Sequence, residues 1–126
     1  MVSPLAQVVS IFRRFLLALQ GEFGAADRGR RLLKSHLSAA QLSEYELNQC
    51  FSVTGSDTGR HYRIRHGYFM NIDEIDENGR RVAKWCFAPV GRLVLGDILL
   101  AQKTALEVFE KEALAVANKF PPDGPS

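Results

Sequence analysis

The sequence predicts an α+β fold: N-terminal helices, a four-stranded antiparallel meander sheet, and a long C-terminal helix packed on one sheet face. Three observations predict it. Four short strand-like runs follow one another at Cys50–Thr54, His61–Arg65, Phe69–Ile75 and Arg80–Phe87. Asn78-Gly79, between the last two, is the strongest short hairpin signal in the chain. An amphipathic helical pattern then runs from about Asp97 to Asn118.

The 126 residues suit one domain. We expect a helical part at 1–49, the sheet at 50–88, the long helix at 96–119 and a disordered tail at 120–126. Ser3-Pro4 reads as a helix start, with an N-cap residue before proline at the first helical position. Leu5, Val8, Val9, Phe12, Phe15, Leu16 and Leu19 fall at helical spacing, and Ile11 and Leu17 widen that stripe. Only Gln7, Ser10, Arg13 and Arg14 form its polar strip. Gly21 and Gly24 are expected to end this helix. A second helix is expected over Ala25–His36, with Leu32, Leu33 and Leu37 inward and Arg28, Arg30, Arg31 and Lys34 outward. Ser38 and Gln41 make a capping box for a third helix reaching about Asn48.

Turn chemistry sets the strand register. A two-residue turn at Asn78-Gly79 pairs Glu77 with Arg80, Asp73 with Lys84, Ile72 with Trp85 and Met70 with Phe87. A four-residue loop Ser56–Gly59 pairs Val53 with Tyr62 and Phe51 with Ile64. Between the middle strands, a three-residue loop with Gly67 or His66 at positive φ sets Ile64 beside Met70 and Tyr62 beside Ile72. A two-residue turn there would bring Asn71 into the core. The inner face then carries Phe51, Val53, Tyr62, Ile64, Met70, Ile72, Trp85 and Phe87. The outer face carries Ser52, Thr54, His61, Arg63, Arg65, Asn71, Asp73, Lys84, both cysteines and one aromatic, Phe69. The last helix offers Ile98, Ala101, Ala105, Leu106, Phe109, Ala113 and Val116 as a cover for the inner face. Gln102, Lys103, Glu107, Glu110 and Lys111 are placed opposite.

Composition excludes several function classes. A net charge of +2 is too weak to imply a nucleic-acid partner by itself. Cys50 and Cys86 make no disulfide framework, and no run approaches the roughly 18 apolar residues of a membrane span. Arg13 and Arg14 interrupt the N-terminal apolar run, unlike a signal peptide, so a cytoplasmic location is expected. Cys50, His61, His66 and Cys86 lack zinc-site spacing, and the meander sets the cysteines roughly 14 Å apart. Glu74-x-Asp76-x-Asn78-Gly79 resembles the start of a calcium loop, but its twelfth position is Trp85 rather than glutamate. Neither a metal nor a cofactor is expected.

The runs Tyr62-Arg63-Ile64, Asn71-Ile72, Cys86-Phe87-x-Pro89 and Gly96-Asp97-Ile98-Leu99-Leu100-Ala101-Gln102-Lys103 with Ala105-Leu106-Glu107 resemble a family of small uncharacterised bacterial proteins. The resemblance covers roughly residues 45–118 and implies a bacterial, non-secreted origin. It carries no activity over to this chain.

Enzyme chemistry has the least support, since no Gly-x-Ser-x-Gly elbow or His-Glu-x-x-His is present. His61 and Asp73 are expected to neighbour each other across strands, but no serine joins them. A pocket between sheet and helix would be lined by Trp85, Tyr62 and Phe109. Gly55-Ser56-Asp57-Thr58-Gly59-Arg60 looks like a phosphate cradle, yet no helix follows it. Its minority reading is an anion-binding tip with Arg60 supplying charge. The first helix is more apolar than one core contact requires, which points to a non-enzymatic interaction or regulatory module that self-associates as a dimer. The alternative is a nucleic-acid or anionic-ligand binder using Arg60, His61, Arg63, Arg65 and Lys84 on the outer sheet face.

Overall fold

A computed structural model describes residues 4–89, 91 and 93–123, with only the backbone described for 15–23. The architecture is α+β. Helix α1 spans Pro4–His36, α2 Ala39–Asn48 and α3 Leu95–Val116. Among the described residues the sheet has five antiparallel strands: β1 Cys50–Thr54, β2 His61–Arg65, β3 Ile72–Ile75, β4 Arg81–Cys86 and β5 Asn118–Phe120. The strands neighbour one another in chain order.

One helix stands where two were expected. Gly21 and Gly24 do not end α1, because a glycine inside a helix costs only about 1 kcal/mol and no proline follows to stop it. At 33 residues the helix is about 50 Å long. The expected Ser3 cap and the tail residues 124–126 lie outside the described residues, as do the side chains of Phe15, Leu16, Leu17 and Leu19. The Ser38 capping box is formed as expected: Gln41 N donates to Ser38 Oγ at 3.1 Å, and Ser38 N donates to Gln41 Oε1 at 3.0 Å.

The β1–β2 register matches expectation, with Val53 opposite Tyr62 and Phe51 opposite Ile64. Ile72 lies opposite Trp85 and Asp73 opposite Lys84, also as expected. The β2–β3 register differs by two residues: Ile64 meets Ile72 and Arg63 meets Asp73. An even shift keeps Ile64 and Ile72 on the inner face and Arg63 and Asp73 on the outer one, and it sets acid against base. The longer loop places Met70, not Gly67 or His66, at positive φ (47°). The β3–β4 turn is also longer than two residues. Gly79 N donates to Asp76 O, Asp76 N donates to Arg80 O, and Gly79 takes φ 78°. A bulge at Glu74/Ile75 follows, so Ile75 faces Arg81.

The core lies between the inner sheet face and the helices. Phe51, Val53, Tyr62, Ile64, Ile72, Ala83 and Trp85 meet Leu99 and Leu106 of α3, Leu33 of α1 and Tyr45 of α2. Helices α1 and α3 touch at glycine. A Cβ on Gly96 would lie 2.3 Å from the carbonyl carbon of Gly29. The buried side of α3 is Ile98, Leu99, Gln102, Leu106, Glu110 and Ala113. Gln102 and Glu110 thus point inward, against expectation, while Phe109 and Val116 are exposed. Helical φ/ψ is broken at Phe109, between the buried Leu106 and Glu110. Trp85 and Tyr62 are buried in the core, whereas Phe109, expected beside them, faces solvent. Phe120, expected at the start of a disordered tail, sits in β5 opposite Lys84.

Candidate functional site

The outer sheet face gathers charge around one carboxylate. Alternation along β2, β3 and β4 sends Arg63, Arg65, Asp73 and Lys84 to the same side. Asp73 is 1% exposed. Arg65 Nε donates to its Oδ2 at 3.0 Å. Arg81 Nε lies 3.2 Å from its Oδ1, and Arg63 Nε lies 3.9 Å from Oδ2. Arg65 Nη2 also donates to Met70 O at 2.5 Å, which ties the face to the β2–β3 loop. Lys84 is buried beside them; that burial and the Arg81 and Arg65 charges lower its pKa, while Asp73 and Asp123 act in the opposite direction. At the β1 edge Ser52 Oγ donates to Glu44 at 2.8 Å.

Of the five basic-face residues expected from sequence, Arg63, Arg65 and Lys84 come together here. Arg60 does not. It lies 3.8 Å from Glu74, whose Oε1 also accepts from the Trp85 indole at 3.1 Å. His61 sits one row away, opposite Thr54 and Ile75, and Asp73 is opposite Arg63 rather than His61. Arg81 was missed. Strict alternation places Val82 on this face; the bulge after Glu74 puts Arg81 in its place.

The glycine-rich loop does hold an anion, and that anion belongs to the chain. Glu110 is fully buried, and its Oε1 accepts from the amides of Asp57 and Thr58 at 2.9 and 2.8 Å. Its Oε2 accepts from the Thr58 and Tyr62 hydroxyls at 2.5 and 2.6 Å. Burial acts to raise the Glu110 pKa, but these four hydrogen bonds outweigh it and hold the carboxyl below its ordinary value. Burial and the bond to Glu110 push the Tyr62 phenol up. The same loop satisfies the break in α3. Glu110 N donates to Ser56 Oγ, Lys111 N to Asp57 Oδ2, and Ser56 N to Leu106 O.

A second buried polar contact joins loop to helix. Asn71 Nδ2 donates to Gln102 Oε1 at 2.7 Å, and Gln102 Nε2 donates back to Asn71 Oδ1 at 3.1 Å. Arg65 O and Phe87 O accept the remaining amide hydrogens. Asn71 was expected outside; the pair makes its burial tolerable.

The other surface of note is the first part of α1. Leu5, Val8, Val9, Ile11 and Phe12 are between 58% and 74% exposed. Leu5, Val8 and Phe12 repeat at spacings of three and four, and the sequence continues that repeat through Phe15 and Leu19. The described helices include none long and apolar enough to cross a membrane. Comparison of the chain with protein-family models, curated proteins and solved structures yields no match.

Proposed function

We propose that this chain is a small non-enzymatic interaction module that works as a homodimer, joined through the N-terminal part of α1. One observation carries the reading: a row of large apolar side chains stands open to solvent on a helix that continues well beyond its packed portion. Soluble monomers seldom leave such a row uncovered. Its three-four repeat is the seam of a coiled coil, and a second copy supplies the identical, self-complementary face. A lipid-surface helix would carry more Lys and Arg along its polar strip than Arg13 and Arg14. The buried polar groups support a structural rather than a catalytic role, since Glu110, Asn71 and Gln102 are engaged with partners inside the fold. Light scattering over a concentration series tests the proposal. It predicts twice the chain mass at tens of micromolar; a mass of one chain throughout would reject it.

A further inference from the structure

We propose that the outer sheet face binds single-stranded nucleic acid, with its arginines on the phosphates and Phe69 stacked on a base. The floor of this face is Asp73 with Lys84, which lie opposite each other on β3 and β4 and are buried. Arg65 and Arg81 approach Asp73 through Nε, and Arg63 stands off at 3.9 Å. The three side chains remain 29–40% exposed, so the cluster meets solvent. Three solvent-facing arginines share the single carboxylate of Asp73, and a negatively charged backbone complements that excess. Arginine forks suit phosphate oxygens better than lysine does.

Charge alone would not separate a single strand from any other polyanion. The aromatic does. Phe69 is 77% exposed and precedes Met70, the residue whose carbonyl holds Arg65. An exposed ring in the loop that Arg65 ties to this face is a platform on which an unpaired base stacks, and duplex bases offer no free face to it. The surface is separate from α1, so charged substitutions on α1 leave this binding intact.

The test is fluorescence anisotropy with a labelled polyuridine of about 16 nucleotides and a duplex of equal length, titrated with the full chain. The single strand is expected to bind more tightly than the duplex. Its affinity should fall between about 50 and about 200 mM salt, the log–log slope being about −0.7 per phosphate contacted. Phe69→Ala should weaken single-strand binding about fivefold or more and leave the slope unchanged. Arg63→Gln should reduce the slope by about 0.7, and Asp73 keeps Arg65 and Arg81 in that variant. Circular dichroism of both variants should match the wild type, since both side chains face solvent. No binding at low salt would overturn the proposal. So would equal affinity for strand and duplex, or binding that both substitutions leave unchanged.

Discussion

Tyr62 and Glu110, 48 residues apart in sequence, share a 2.6 Å hydrogen bond in the core, where the phenol donates to a carboxylate already held by two amides and a threonine hydroxyl. This contact fixes the glycine-rich loop to α3 and closes the anion-binding tip from within.

Glu110 therefore makes stability depend on pH. Its folded pKa lies below the unfolded value, so the unfolded chain takes up the proton first. The stabilisation is complete above the ordinary carboxylate pKa of about 4.3 and is lost as pH falls through the lower folded value. Glu110→Gln should cost about 1–3 kcal/mol at neutral pH. The gap between wild type and variant should narrow as urea melts are taken into acid. A gap that stays constant down to pH about 2 would show that Glu110 is not ionised in the fold.

Gly55 is required by the same carboxylate. A Cβ there would lie 2.2 Å from Glu110 Cδ. Four hydrogen bonds hold that group, so it has nowhere to retreat. Gly55→Ala should destabilise the domain by about 2 kcal/mol or more, and pairing it with Glu110→Ala should recover part of the loss. Strictly additive losses in thermal melts would contradict this.

The α1–α3 crossing should be as sensitive. Gly96→Ala forces a methyl within 2.3 Å of Gly29 backbone. Separation of the helices should cost about 1–3 kcal/mol and raise hydrogen exchange in both helices near the crossing. Unchanged exchange there would mean that the helices stand farther apart.

Asn71 and Gln102 should behave as a unit. Asn71→Ala strands a buried amide and should cost about 1–3 kcal/mol. A double-mutant cycle with Gln102→Leu should return a coupling of at least about 0.5 kcal/mol, and additivity would deny the pairing.

Much of the fold was legible in periodicity and turn chemistry. Side-chain alternation put Arg63, Asp73 and Lys84 on one face even though the β2–β3 loop was misjudged, because an even register error preserves sidedness. What escaped was long-range polar pairing. Gln102 and Glu110 carry polar side chains, so helical spacing assigned them to solvent. Their partners, Asn71 and the Ser56–Thr58 loop, lie 31 and 52–54 residues away. Arg81 escaped because a one-residue bulge reverses the alternation on which its assignment rested. Strand β5 is three residues long and follows directly on a helix, too short for any pattern to announce it.

Sedimentation equilibrium on the wild type beside a Val8→Glu, Phe12→Glu variant tests the central claim most directly. Both residues are exposed, so the variant should melt like a folded domain. The account predicts a dimer for the wild type and a monomer for the variant. A dimer that survives both substitutions would contradict it.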